Sequence, residues 1–323
     1  MPNPILVEVA RGATVESVHR GSIAIAEAGG AIRFAAGDVE SPVYTRSSLK
    51  PIQALPLVES GAAEAFGLAD EDIALACASH SGEPMHTGRV AAWLERIGCS
   101  EADLACGPHP PRHEPTSQEM LRRGEKPSRL HNNCSGKHTG FLTVATHLGM
   151  SISGYEHLEH PVQQAVLTSL RALSGVAEPG VGVDGCAAAN FALPLAAFAR
   201  ALAAMAAGGT PGAARIVKAM TAHPELVAGT GRSCTALMRA AAGKAAVKIG
   251  AEGVYAGMIP DHGLGIAVKI DDGAGRASEI VIAAVLEKLG LIGGELVRFA
   301  VLNTRGDTVG ERRPAKALAE LIP

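Results

Sequence analysis

The sequence predicts an α+β protein in which an antiparallel sheet is assembled from both chain ends and a large helical segment lies between them. Three observations lead there. The first forty residues hold short β-type runs separated by glycine-bearing turns. The long middle, residues 43–240, carries helical signals that end at glycines. Beyond residue 246 the chain returns to β-type runs. With 47% hydrophobic and 19% charged residues over 323 positions, the chain can bury a sizeable core and is not a disordered polymer.

Taken in order, residues 5–10, 19–26 and 31–34 read as strands of a meander, with Gly29-Gly30 as one of its turns. Residues 56–61 and 87–98 read as helices stopped by Gly61 and Gly98, and similar signals cover 139–148, 161–173, 191–207 and 213–222. The stretch 191–207 is alanine-rich, contains Pro194 and carries Arg200, so it reads as a packed helix rather than a membrane span. Residues 246–249, 253–258 and 264–270 read as strands and 277–289 as a helix. The expected organisation is a sheet-containing lobe from 1–42 and 241–323, a mainly helical lobe from 43–240, and an active site at their interface. The turn-rich segment Pro108-His-Pro-Pro-Arg-His reads as a stiff surface loop.

Composition excludes several partners. Aromatics are 3% of the chain, with a single tryptophan, Trp93, so a base-stacking surface is not expected. The net charge is −3 and no Lys/Arg block stands out, which argues against nucleic acid. Met1-Pro2-Asn3-Pro4 lacks the basic-then-apolar layout of a secretory signal, so a cytoplasmic protein without a membrane partner is expected. Six cysteines are too few for a disulfide scaffold at this length. They read as small buried hydrophobes, with a metal site or a redox pair as the interesting exception.

Four clusters could carry chemistry. In Tyr44-Thr-Arg-Ser47-Ser48-Leu-Lys50-Pro51, an S-x-x-K spacing at a helix start puts Lys50 one turn after Ser47. There it could take the serine proton, with Arg46 supplying positive charge that lowers the lysine pKa. Only Ser47, not Ser48, has this spacing, although a helix start capped by Ser47 explains the same residues. In Ala76-Cys-Ala-Ser79-His80-Ser-Gly-Glu, Ser79 is a second candidate hydroxyl with His80 alongside. A tight turn with exposed hydroxyls is the plainer account. In His131-Asn-Asn133-Cys134-Ser-Gly-Lys137-His138, Cys134 and Lys137 are three apart and could face one point, with Cys186 of Val183-Asp184-Gly-Cys186 completing a metal site. His131 or His138 would be a more ordinary third ligand than a lysine. In Lys248-Ile-Gly250-Ala-Glu-Gly253-Val-Tyr, a lysine at a strand end is followed by a glycine that permits close backbone approach. A hairpin turn accounts for both glycines as well.

Read together, S-S-L-K-P-x-Q-A-L-P, C-A-S-H-S-G-E, N-N-C-S-G-K-H-x-G, G-V-D-G-C and K-x-G-A-E-G-V-Y resemble the bacterial L-asparaginase II family of the rhizobial type, from about Pro4 to Leu291. The resemblance implies a fold similar to serine β-lactamases, penicillin-binding proteins and serine-dependent glutaminases. It implies two serine–lysine pairs, which fall on Ser47 with Lys50 and on Ser79 with Lys248. It implies a Zn2+ ion held by Cys134, Lys137 and Cys186, with Asp184 near the metal and Arg46, His80, Asn133 and Gly250 lining the substrate site. The stretch after Cys186, Ala187-Ala-Ala-Asn, departs from the family pattern of glycine or serine followed by proline.

The function this implies is hydrolysis of L-asparagine to aspartate and ammonia through a serine ester, in a cytoplasmic homodimer. The alternatives are a glutaminase or broader amidase, a β-lactamase or peptidase, and a non-catalytic zinc-binding protein.

Overall fold

The structure, a computed structural model, describes residues 2–321. Its strands are β1 (Ile5–Arg11), β2 (Thr14–Glu27), β3 (Ile32–Ala36), β4 (Pro42–Tyr44), β5 (Gly180–Val183), β6 (Ala189–Pro194), β7 (Ala246–Ile249), β8 (Val254–Ile259), β9 (Leu264–Ile270), β10 (Phe299–Leu302) and β11 (Thr308–Pro314). The chain divides into two compact units. One comprises Met1–Ser48, Ala192–Ala207 and Leu237–Pro323; the other comprises Leu49–Phe191 and Gly208–Ala236.

The first unit holds an antiparallel sheet in the order β10-β11-β1-β2-β9-β8-β7, with β3 also on β2. It is built from both chain ends as expected: Val7 pairs Pro314, and Ile25 pairs Ile266. β2 is 14 residues long because it serves two sets of neighbours, β1 along Thr14–Arg20 and then β9 along Gly21–Glu27. Both faces of the sheet centre are covered, which is why β9 is buried almost throughout instead of alternating. On one face the helix Leu195–Ala206 comes so close that a Cβ on Gly265 would lie 2.1 Å from the Ala203 nitrogen. On the other, Gly257 and Ile266 face Ile282 of the helix Gly275–Lys288.

Two expectations change here. Residues 191–207 are not one helix: the strand β6 runs to Pro194, and the helix starts at Leu195. A proline biases its predecessor to extended backbone, which puts the boundary there. The helix also belongs to the sheet unit rather than the helical one, because its alanine-rich surface is buried against β2 and β9. No described helix is long and apolar enough to cross a membrane.

The second unit is helical, and its central element is Ser135–His147. Every residue from Ser135 to Ala145 is buried, polar ones included. Thr139 and Thr143 satisfy their hydroxyls on the carbonyls of Ser135 and Thr139, one turn back. Gly136 lets this helix close on the helix Asp70–Ala76, because a Cβ there would sit 2.3 Å from the Leu75 carbonyl oxygen. That approach brings Cys134, at the helix N-terminus, beside the chain that leaves Leu75 toward Ser79.

Candidate active site

Lys50 begins the short helix Lys50–Gln53 and is fully buried. Its ammonium donates to the Ser79 Oγ at 3.1 Å, the Cys134 Sγ at 3.2 Å and the Asn133 carbonyl at 3.4 Å, and also to the Ala78 carbonyl. The helical unit therefore joins three separate sequence clusters around one nitrogen. Ser79 is the serine that Lys50 touches. The Ser47 hydroxyl, half-buried in the 3-10 turn Arg46–Leu49, makes no side-chain hydrogen bond among the described residues. Ser48 is buried and donates to the Thr45 carbonyl at 2.5 Å, so its hydroxyl is already used. Arg46 enters the turn with φ 50°, a left-handed conformation unusual for a side-chain-bearing residue.

The loop carrying Ser79 is held at several points. The Ser79 N–H donates to the Val227 carbonyl at 3.0 Å, and the Ser81 hydroxyl to the Ala228 carbonyl at 2.9 Å. The Glu83 carboxylate accepts from the Thr230 N–H at 2.8 Å and from its hydroxyl at 2.7 Å. Gly229 lies between these anchors, where a Cβ would meet Glu83 and Ser81 oxygens at 2.5 Å. His80 is fully buried and both its ring nitrogens are occupied: Nδ1 accepts from the Gly82 N–H, and Nε2 lies 2.9 Å from the Ser135 hydroxyl. Burial, then the stacked His86, push His80 well below the ordinary histidine pKa. His80 thus stays neutral and ties the Ser79 loop to the central helix instead of facing a ligand.

Behind Lys50 lies a thiol pair. The Cys134 Sγ donates to the Asn133 Oδ1 at 3.2 Å, and the Lys137 ammonium donates to the Cys186 Sγ at 3.1 Å. The neighbouring Cys134, reinforced by Lys137, holds the Cys186 thiol below its ordinary pKa despite burial, and Cys134 is pushed up by Cys186 and by burial. Burial opposes the Lys137 charge, but Cys186 and Cys134 outweigh it and raise the lysine.

His138 is buried beside them. Its Nδ1 lies 2.7 Å from the Tyr155 hydroxyl, and its Nε2 has no hydrogen-bond partner among the described residues. Two thiols, an amine and an orphaned imidazole nitrogen make a sulfur–nitrogen donor set of the kind zinc takes. Among the described residues no group of three His, Cys, Asp or Glu side chains is placed to hold a metal ion. Asp184 is half-buried near this group, and its charge also raises Lys137.

Lys248 is fully buried in β7 of the sheet unit and donates to the Ile249 carbonyl at 2.8 Å. Gly250 follows it. A Cβ there would stand 3.0 Å from the Thr45 carbonyl and 3.3 Å from the Ser48 nitrogen, so the glycine is required by close backbone approach. Its own N–H is taken by the Val254 carbonyl at 2.8 Å and is not free to bind an oxyanion. Sequence reasoning quoted Glu83 without assigning it and passed over Gly229–Arg232. The signal available was a glycine-flanked polar run, Gly229-Thr-Gly-Arg232, ahead of the helix Ser233–Ala240.

No curated protein matches the chain. Among solved structures it is similar to a candidate β-lactamase from Bacteroides dorei DSM 17855, at 14% identity over 83% of this chain and 92% of that one, with a TM-score of 0.46. It is similar also to structures described as Mglu, one at 18% identity over 90% of this chain and 72% of that one, with a TM-score of 0.42. The family model described as L-asparaginase II matches residues 7–314, nearly the whole length, with every motif discussed above inside it. The chain belongs to the L-asparaginase II family.

Proposed function

We propose that the protein hydrolyses the side-chain amide of L-asparagine through a serine ester, with Lys50 as the proton carrier. The observation that carries this reading is the buried Lys50 Nζ 3.1 Å from the Ser79 Oγ and one turn beyond Ser47. In this scheme the Lys50 Nζ takes the Ser47 proton as Ser47 Oγ bonds to the amide carbon. The carbon–nitrogen bond then breaks, and the departing ammonia receives that proton through the Ser79 hydroxyl. Water attacks the ester, Lys50 takes its proton, and the Ser47 oxygen leaves with a proton returned from Lys50. The Ser47 N–H is the oxyanion donor proposed here, a term worth roughly 3–4 kcal/mol. Lys248 acts as the second lysine of the pair scheme, and Arg46, Asn133 and Asp184 contact the substrate. The Lys50–Ser79 contact also favours a second reading, in which Ser79 itself attacks.

We further propose that Cys134, Lys137 and Cys186 hold zinc, which when bound would supply a positive charge that orients one end of an amino-acid substrate. Lys137 would bind as the neutral amine, giving up the proton it now shares with Cys186. Zinc stoichiometry by elemental analysis tests this. About one equivalent is expected in the wild type and far less in Cys186→Ala; equal zinc in both removes the assignment. Cytoplasmic residence and a homodimer are carried from the family resemblance and are testable by fractionation and sedimentation.

The decisive assay is ammonia release from asparagine and glutamine, with trapping of the covalent ester by mass spectrometry. Ser47→Ala is expected to lose activity by at least about 10³-fold and to form no adduct. An adduct on Ser79 transfers the nucleophile there. Absence of ammonia release from either amide by the wild type removes the function.

A further inference from the structure

Two arginines beside Ser79 have no assigned role. Arg112 follows Pro111, which packs on Gly82 so closely that a Cβ on that glycine would lie 3.1 Å from the Pro111 Cα. The next residue, His113, donates its N–H to the Ser81 carbonyl at 3.1 Å. Arg112 is thus fixed at the backbone on one side of the segment that carries Ser79. Arg232 is fixed on another side: its N–H donates to the Gly229 carbonyl, and Gly229 is wedged against Ser81 and Glu83. Both anchors lie within four residues of Ser79, inside the helical unit.

Neither guanidinium has a hydrogen bond or a carboxylate partner among the described residues. The carboxylate on the same segment, Glu83, is committed to Thr230, with His113 at 4.0 Å. The Arg112 side chain is exposed and that of Arg232 half-buried. Burial, and after it the Arg232 charge, lower the Arg112 pKa, whereas Cys134 raises it. Two cations within electrostatic reach of each other, without a carboxylate partner among the described residues and rooted next to the segment that carries Ser79, are an arrangement that an anion completes. Guanidinium forks match carboxylates in a bidentate way that lysine does not.

We propose that Arg112 and Arg232 form a carboxylate subsite beside Ser79 that receives the α-carboxylate of an amino-acid amide. The choice of an amino-acid amide rests on the asparaginase reading; the subsite itself rests on the two arginines. Bound there, the α-carboxylate would fix one end of the substrate and leave the side-chain amide to be placed by the Ser79–Lys50 region.

The test is calorimetric binding of L-aspartate and of β-alanine, which is aspartate without its α-carboxylate, to the full-length wild type, Arg112→Gln and Arg232→Gln. Aspartate binding is expected to weaken about 10- to 100-fold in each variant, while β-alanine binding changes less than about twofold. Arg→Lys at either position is expected to recover only part of the loss. No measurable aspartate binding by the wild type, unchanged affinity in both variants, or equal losses for both ligands overturns the subsite. Ammonia release measured on the same preparations separates the two ideas. Arginine-dependent aspartate binding without any amide hydrolysis sinks the asparaginase reading and leaves the subsite standing.

Discussion

Gly136→Ala is the substitution for which two physical rules give opposite answers. Helix propensity alone favours alanine, by about 1 kcal/mol in a helix interior and by less in the first turn, where Gly136 sits. Here, however, the new Cβ would lie 2.3 Å from the Leu75 carbonyl oxygen, 2.8 Å from its Cγ and 2.9 Å from its carbonyl carbon. Two of those atoms are backbone, so no side-chain rotation relieves the contact, and the helix must move by about 1 Å to restore ordinary separations. Overpacking of that kind costs about 1–3 kcal/mol, and an immovable backbone contact puts this case at the upper end. The net expectation is a loss of about 2 kcal/mol.

The same shift moves Cys134 relative to Lys50 and Ser79. A misplacement of about 1 Å costs on the order of 10²-fold in rate. Gly88, on the exposed face of the helix Pro84–Arg96, has nothing within 4 Å of its Cβ position and serves as the control. Gly88→Ala should gain up to about 1 kcal/mol with unchanged turnover. Urea denaturation and ammonia release measure both effects. A Gly136→Ala protein as stable as the wild type would falsify the argument that this glycine exists for backbone approach.

Two further outcomes are expected. Ala187 has φ 73°, a left-handed conformation that glycine adopts without strain, so Ala187→Gly should raise stability by about 1 kcal/mol; a drop in denaturation midpoint would count against strain at this loop. His80 has a folded-state pKa well below its unfolded value near 6.5, so the unfolded chain binds the extra proton first as pH falls. Stability should therefore decline below about pH 6.5, by up to about 1.4 kcal/mol per pH unit for this one group, and the decline should be shallower in His80→Gln. Identical pH slopes in the two proteins would remove His80 from the account.

Local patterning made much of this molecule legible. The strands at 246–249 and 264–270 and the helix after Pro161 follow from β-type runs and helical signals, and they are found where expected. β11 escaped notice because Thr-Val-Gly-Glu-Arg-Arg-Pro is half-exposed and charged, and it becomes a strand only through pairing with β1, about 300 residues away. The site was legible as residue types but not as partnerships. The S-x-x-K spacing suggests Ser47 for Lys50, whereas the contact falls on Ser79, from a loop 29 residues away that is positioned by Gly136 and the Val227–Thr230 segment. Arg112 was hidden for a related reason, since a proline-rich loop reads as surface until its backbone is seen pinned to Ser81.

The strand order of the sheet has a consequence for how the chain is made. β1 is synthesised before β2 but sits between β2 and β11, so one of its edges stays unpaired until β11, about 300 residues later, has been made. β2 likewise waits for β9. The stretch Leu49–Phe191, most of the helical unit, is synthesised in one piece during that interval and can collapse on its own short-range contacts. The nascent protein therefore carries open β edges throughout the synthesis of its helical unit, and its exposure to aggregation ends only when β9 and β11 have been made. A ribosome stalled after residue 290 would carry a hairpin still lacking its outer partner. Pulsed hydrogen exchange on such complexes should find β1 amides open on the β11 side and the amides of Ser135–His147 already protected.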